Sequence, residues 1–449
     1  MSITTGKIDS KQLENNFAEI HPPLTASRAK IEADRCIYCY DAPCTKACPT
    51  SIDVPLFIKQ IASDNIKGSA TTIFKDNIFG GGCARVCPTE KLCEGACVCN
   101  ELHEEPIPIG QLQRFATDKA IYDKWKLFDR AVANGKKVAV IGAGPAGLSC
   151  AHELSRLGTE VTVFEKEAQG GGLMKFGVAA YKLEPGFAEA EVDFITNLGG
   201  IDVKYNIELG KDISLEQLQK DYDAVFVGIG VGNARQLDIA GEDLEGVEDA
   251  LSFIYDIRTK DYGQVKVGDK VAVIGMGMTA IDAATQSKRL GASEVTMVYR
   301  RSEAEMPCTE KELELAKSDE CKIIWLASPK EVKGVDGKVS ELICEVMKLG
   351  EPDESGRRRP EATGETFSLE VDMVIKAAGQ LPYEEMVKEA GLDNKWGVVS
   401  LNDGSYKTNL DNIFAGGDCI NGGKEVVNAS EDGKVAAREI LTHLGIKGN

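Results

Sequence analysis

Residues 136–165 constrain this chain more than any other stretch. An apolar, β-rich run (138–141) leads directly into Gly142-x-Gly144-x-x-Gly147. Residues 146–157 then show helical spacing, and a second apolar run (161–164) ends at Glu165. Gly142 permits a tight turn, Gly144 lets backbone approach a pyrophosphate, and Gly147 lets the helix pack close to the strand. Pro145 and Ala146 open that helix, and its positive N-terminus faces the phosphates. Glu165, with Lys166 beside it, stands where an acid accepts a ribose hydroxyl. Bare glycines would be weak evidence. Strand, turn, helix, strand and terminal acid together predict a Rossmann-like, α/β dinucleotide fold.

A degenerate copy follows. An apolar run ending at Ile274 enters Gly275-x-Gly277, then Met278 and Thr279, with Ala280 at the third glycine position. A helix (281–290) and a strand (294–299) are expected next. This copy ends in Arg300-Arg301 rather than an acid. Guanidinium groups there can bind a 2′-phosphate, which favours NADP(H), with NAD(H) as the alternative. A basic strand end with no ligand is the plainer possibility.

The 449 residues leave room for several domains with sizeable cores. A net charge of −19 argues against nucleic acid as the main partner. No apolar run reaches the roughly 18 residues of a membrane span. Residues 1–17 carry no apolar signal core, so a cytoplasmic location is expected. The three arginines within residues 355–360 read as a solvated turn between strands.

Nine of the 14 cysteines fall between Cys36 and Cys99. Without an export signal, such clustering suggests metal rather than disulfides. The first group is Cys36-x2-Cys39-x4-Cys44-x3-Cys48-Pro49. The second is Cys83-x3-Cys87-Pro88-x4-Cys93-x3-Cys97, with Cys99 just after. Cys-Pro endings on tight runs are a feature of ferredoxin-type [4Fe–4S] ligation, and zinc remains the alternative. Residues 55–65 and 67–75 look helical, so the head is expected to be a small α-helical carrier.

Here the chain resembles a known family: the electron-input module shared by dihydropyrimidine dehydrogenase, the small subunit of bacterial glutamate synthase, and the large subunit of NADH-dependent ferredoxin:NADP oxidoreductase. The resemblance is carried by Arg35-Cys36-x-x-Cys39, Asp41-Ala42-Pro43-Cys44, the run from Cys83 to Cys93, and residues 109–115, IGQLQRF. It continues through both glycine motifs. It implies one cluster on Cys36, Cys39, Cys44 and Cys97, and another on Cys48, Cys87, Cys93 and the side-chain oxygen of Gln113. Spacing alone does not give these crossed sets. Cys83 and Cys99 are left spare, and either could replace Gln113. The pyrimidine branch has Gln at this position, and the other two usually have Glu.

The resemblance also implies FAD on the first dinucleotide fold. Gly170-Gly171-Gly172 and Leu173 match a segment passing close to the isoalloxazine ring, although Ala179 and Lys182 stand where the family has Pro and Arg. Gly417 and Asp418 match the acid that binds the flavin's ribityl or phosphate region. The helix expected from about residue 425 can stabilise negative charge on a reduced flavin. The expected layout is a helical [4Fe–4S] domain (1–125), an FAD domain (126–258 and 375–449) and an inserted NAD(P) domain (259–374).

No Ser–His–Asp set or paired-carboxylate motif is visible, and only four histidines occur. Hydride transfer to a flavin needs alignment rather than a protein acid or base. The expectation is therefore a hetero-oligomeric subunit that oxidises NAD(P)H and passes electrons to an FMN-containing partner reducing uracil or thymine. A glutamate synthase small subunit, or a subunit feeding a ferredoxin-like acceptor, is the alternative. A non-enzymatic metal scaffold is the third possibility.

Overall fold

The computed structural model of the chain describes residues 3–353 and 356–446. It divides into two compact units. One comprises Ala234–Gln380, the N-terminal segment as far as Ile20, and the short stretch Phe176–Tyr181; the other comprises the remainder.

The larger unit carries the first glycine motif on a five-stranded parallel sheet. Its spatial order is Ile413–Ala415, Ala224–Val227, Lys137–Ile141, Glu160–Glu165, Ile201–Tyr205. Val140 pairs with Val163 on one side and Phe226 on the other. Four of the five residues of Lys137–Ile141 are buried. A parallel strand covered on both faces needs such an unbroken apolar run, which is why it was legible in the sequence. The chain winds outward from the central strand to Ile201–Tyr205, then crosses to its other side. The switch point therefore lies beside Gly142, where open α/β sheets take ligands.

Residues 21–125 of this unit contain no strand among the described residues. Asp53 caps the helix Val54–Ala62 through Leu56 N–H, with Pro55 in its first turn. Asn65 caps Ile66–Asp76 through Gly68 N–H. The glycine-rich helix Gly80–Val86 and the helix Ile109–Tyr122 complete the frame that holds the cysteines.

The smaller unit repeats the architecture. Its parallel order is Val247–Asp249, Met373–Lys376, Lys270–Ile274, Glu294–Tyr299, Lys322–Trp325. An antiparallel meander of Ala327–Val335, Lys338–Pro352 and Arg358–Glu370 is appended. Two expectations need adjusting. Val247–Asp249 joins this sheet although it precedes the expected boundary at 258/259; it is short and only half-buried, so it leaves no apolar signal. The segment up to Ile20 groups here rather than with the helical head: Thr4 bridges to Val267, and Phe17 stacks on Tyr262 at 4.2 Å. Of the arginine-rich turn, Ser355 lies outside the described residues. Gly356 N–H donates to Asp353 O, and the strand begins already at Arg358. No described helix is long and apolar enough to cross a membrane.

Candidate functional site

The first glycine turn is built by close contacts. Gly144 is the N-cap of the helix Pro145–Arg156. A Cβ on Gly147 would stand 1.9 Å from Gly142 O, so only glycine lets this helix start so near the strand. The loop of Gly170 to Gly172 folds back over the turn: Gly171 N–H donates to Ala143 O at 2.8 Å, and a Cβ on Gly172 would stand 2.9 Å from Gly144 Cα. Leu173 opens the short helix Leu173–Phe176.

Glu165 is buried and seated in the same turn. Ala143 N–H donates to its Oε2 at 2.7 Å, and Glu167 N–H to its Oε1 at 2.9 Å. Burial pushes its pKa up and the two N–H groups oppose that. Each oxygen retains acceptor capacity for a ribose hydroxyl. Lys166 Nζ donates to Tyr383 OH at 3.0 Å. Lys182 is half-buried. Gly417 ends the turn after Ile413–Ala415, and Asp418 Oδ1 accepts from Lys424 N–H at 3.0 Å. Three adjacent strands thus bring Gly142, Gly228 and Gly417 to one edge of the sheet. These residues fit a dinucleotide: amide donors at a helix N-terminus, a seated acid, and backbone close enough to receive phosphates.

In the smaller unit Gly277 caps the helix Met278–Arg289. Met278 and Thr279 are its first two residues, whose N–H groups lack intrahelical acceptors. Arg300 is exposed directly after Glu294–Tyr299, and Arg301 is half-buried. Arg301 Nε is shut off from solvent with no acceptor among the described residues. An anionic group would supply one.

The cysteines sort into two neighbourhoods. Burial raises the Cys36 and Cys44 thiols. Cys39 and Cys97 act further on Cys36, and Cys36 and Cys97 on Cys44. Cys87 is raised first by its hydrogen bond with Cys83, then by burial and the charges of Cys83, Cys93 and Cys48. Cys93, raised first by burial, also feels Cys48 and Cys44. Cys36, Cys39, Cys44 and Cys97 thus lie near one another, with Cys99 beside Cys97; Cys48, Cys83, Cys87 and Cys93 form a second group, with Cys44 within reach of Cys93. Among the described residues no three His, Cys, Asp or Glu side chains gather as for a single ion. On a four-iron cluster each thiolate holds a different iron, so the sulfurs stand further apart.

Gln113 is buried on the helix Ile109–Tyr122, not on its surface. Its Nε2 donates to Gly80 O at 2.7 Å, which fixes the amide plane and leaves Oε1 as the atom available to a metal. Gln113→Glu removes that donor and adds negative charge at the proposed ligand position. The expected result is a lower reduction potential for one cluster, read by EPR-monitored titration, and loss of that cluster in Gln113→Leu. Unchanged spectra and potentials in both variants would point to Cys83 or Cys99 as the ligand.

One functional candidate escaped the sequence. Glu191, on the helix Phe187–Thr196, is fully buried against the glycine-rich turn of Gly80–Val86. Its Oε1 accepts from Gly82 N–H at 2.8 Å, and its Oε2 has no partner among the described residues. Met174 packs on the same glycine: a Cβ on Gly82 would stand 2.1 Å from Met174 Cε. The short helix Leu173–Phe176 therefore touches the helix that bears Cys83 and is capped by Cys87. Burial pushes the Glu191 carboxyl up to about 7, with Arg85 opposing and Asp118 adding to the shift. The folded chain then holds a proton that the unfolded chain releases near pH 4.5, so stability falls as pH rises from there through about 7. The loss is roughly 3 kcal/mol across that window. Thermal unfolding at pH 5 and pH 8 is expected to show this extra slope in the native protein and not in Glu191→Gln; equal slopes would refute it.

Residues 13–125 match the family model for dihydropyrimidine dehydrogenase domain II, 4Fe-4S cluster, and residues 136–433 match that for pyridine nucleotide-disulphide oxidoreductases. The Escherichia coli glutamate synthase [NADPH] small chain is 36% identical over 449 residues, covering 96% of this chain and 94% of that one. The NAD-dependent dihydropyrimidine dehydrogenase subunit PreT of Salmonella typhimurium is also 36% identical, over 96% and 98%. Among solved structures, Mycobacterium tuberculosis FprA in complex with NADPH superposes with a TM-score of 0.58 at 21% identity, covering 69% of this chain and 85% of that one. Lactococcus lactis thioredoxin reductase gives 0.54 at 23% identity, over 69% and 99%. Both likenesses concern the fold. The matches with the family models and the curated relatives span nearly the whole chain, and they make it a member of the pyridine nucleotide-disulphide oxidoreductases: an NAD(P)H-dependent flavin and iron–sulfur oxidoreductase of the glutamate synthase small chain and dihydropyrimidine dehydrogenase subunit type.

Proposed function

We propose that this chain is the electron-input subunit of a hetero-oligomeric dihydropyrimidine dehydrogenase. It oxidises NADPH and delivers electrons, through FAD and two [4Fe–4S] clusters, to an FMN-containing partner that reduces uracil or thymine. Bound FAD would accept hydride and release electrons singly to the clusters. The chain's own residues bind and orient. Gly144, Ala146 and Gly147 receive the flavin pyrophosphate, Glu165 and Lys166 its adenosine side, and Gly172, Leu173, Lys182, Gly417 and Asp418 its other half. Gly277, Met278 and Thr279 receive the nicotinamide dinucleotide, and Arg300 and Arg301 its 2′-phosphate. Cys48, Cys87, Cys93 and Gln113 hold the cluster on the flavin side. That order is supported by the Met174 contact with Gly82. Cys36, Cys39, Cys44 and Cys97 hold the outer cluster, where Ile37 and Tyr40 are exposed to solvent. Exposed apolar side chains beside a redox centre suit a docking partner. Thiol ligands of this kind fit a cytoplasmic, reducing setting.

The observation that carries the pyrimidine reading is Gln113, buried and oriented by Gly80 O. A glutamate synthase small chain is the second reading, favoured by equal sequence identity. The isolated protein is expected to reduce one-electron dyes with NADPH and leave uracil untouched. Adding the FMN chain should start uracil reduction. Uracil reduction by this chain alone, or coupling to a glutamate synthase large chain instead, would overturn the proposal.

A further inference from the structure

Gly417 is held in a backbone conformation that only glycine adopts readily, φ 77° and ψ −157°. A Cβ there would also stand 2.8 Å from the Cβ of Ala146, at the start of the helix Pro145–Arg156. Such a conformation persists where the surroundings over-determine it. Here the hold comes from the helix Val426–His443. Gly417 N–H donates to Asp432 Oδ2 at 3.1 Å, and Tyr406 OH donates to Asp432 Oδ1 at 2.8 Å. Each carboxylate oxygen thus has a donor, and the two together fix the plane of the group. The next residue, Gly433, lets the helix come this close: a Cβ on it would stand 2.0 Å from Ala146 O. Tyr406 is itself anchored. Its N–H donates to Glu439 Oε2 at 2.8 Å, on the same helix face as Asp432 and two turns further on. Its carbonyl accepts at 2.9 Å from Ala415 N–H, in the strand Ile413–Ala415 that leads into Gly417. Beyond Gly417, Asp418 Oδ1 accepts from Lys424 N–H, so the turn is pinned at both ends.

We infer that Asp432 is a positioning residue for bound FAD: its carboxylate locks Gly417, and with it the Asp418 turn, in the conformation that meets the flavin's ribityl or phosphate region, while Glu439 on the same helix face serves the fold alone. This rests on the assignment of Gly417 and Asp418 proposed above. A hydrogen bond to an ionised acceptor is stronger than one between neutral groups, which suits a strained donor. Without the carboxylate, Gly417 N–H loses its acceptor and the peptide is free to turn. Binding must then supply the ordering that Asp432 supplies beforehand.

The test is the FAD dissociation constant of the purified holoprotein, read from the fluorescence of flavin released on dilution, with the thermal midpoint of each variant measured beside it. Asp432→Ala should raise the constant about tenfold. Asp432→Asn should stay near wild type: its Oδ1 accepts from Gly417 N–H, and its Nδ2 donates to Tyr406 OH, which can turn to accept. Glu439→Ala should lower the thermal midpoint and leave FAD binding near wild type. Tyr406→Phe keeps the carboxylate, removes the donor that steadies it, and should weaken FAD binding about threefold. It carries the test where Asp432→Ala does not fold. Wild-type FAD affinity in Asp432→Ala or, failing that, in Tyr406→Phe overturns the inference. So does an equal weakening in Glu439→Ala, which would make the whole helix face a matter of fold stability. Asp418→Ala separates the inference from the assignment beneath it. Unchanged FAD affinity there removes this turn from the flavin site and the inference with it. Weakened binding there, with none lost in Asp432→Ala, keeps the turn in the site and refutes the role of Asp432 alone.

Discussion

Replacing Cys87 with alanine is expected to halve the iron content, from about eight to about four per chain, and to stop electron delivery to the partner. Oxidation of NADPH by the flavin should survive. Cys87 is suited to this test because its surroundings leave little room for substitution. Cys48, Cys83 and Cys93 share its neighbourhood, and it stands half-buried as the C-cap of Gly80–Val86, the helix to which Gln113 is hydrogen-bonded at Gly80 O. No other thiol of that neighbourhood except Cys83 is free to take its place. The flavin turn is assembled from other residues, Gly142 to Gly147 and Gly170 to Gly172, held by their own backbone contacts. Stopped-flow bleaching of the flavin by NADPH should therefore keep its wild-type rate while partner-dependent turnover falls to background. Simultaneous loss of bleaching would mean that the cysteine helix props the flavin turn through Gly82 and Met174, and that its contribution is structural. Unchanged iron and turnover would remove Cys87 from the ligand set.

The parts of this architecture that were legible in the sequence are those with a local physical cause. Lys137–Ile141 and Lys270–Ile274 are central parallel strands, buried on both faces, so each reads as an unbroken apolar run ending in glycine. The two helices that follow begin where the glycines permit close approach. The parts that stayed hidden depend on contacts between distant segments. Val247–Asp249 has no periodicity of its own and becomes a strand only by pairing with Met373–Lys376. Glu191 sits in an ordinary amphipathic helix, and nothing within that helix marks it as the buried carboxyl. The only available signal was the run Gly80-Gly81-Gly82, three residues without side chains that demand a close neighbour. Gln113 was found through resemblance, and its orientation toward Gly80 O could not have been read from the chain.

On the proposed assignment nucleotide choice and partner choice draw on different residues, and the names of the relatives differ on both. The dihydropyrimidine dehydrogenase subunit is named as NAD-dependent and the glutamate synthase chain as NADPH-dependent, at the same 36% identity. On the proposed assignment Gln113 bears on the partner, whereas Arg300 and Arg301 bear on the nucleotide. Both arginines follow the strand Glu294–Tyr299 that neighbours Lys270–Ile274, one and two residues past Tyr299, which holds the position of Glu165 in the first copy. Glu165 is held by two backbone N–H groups and would repel a 2′-phosphate. Arg301 Nε, in contrast, is enclosed without an acceptor among the described residues, which is costly unless a ligand pairs with it. Each charge-assisted contact to phosphate contributes roughly 1.5–3 kcal/mol, and about 1.4 kcal/mol is a factor of ten. Replacing both arginines with glutamine should therefore lower kcat/KM for NADPH at least tenfold and leave NADH nearly unchanged. The loss should appear mainly in KM, because the 2′-phosphate is remote from the hydride and is bound equally before and during transfer. It should also shrink at high ionic strength in proportion to the exposure of Arg300. Equal losses for the two nucleotides would assign the pair to the structure of the strand end. An NADH preference in the unmodified protein would place this chain with its NAD-dependent relative on both counts.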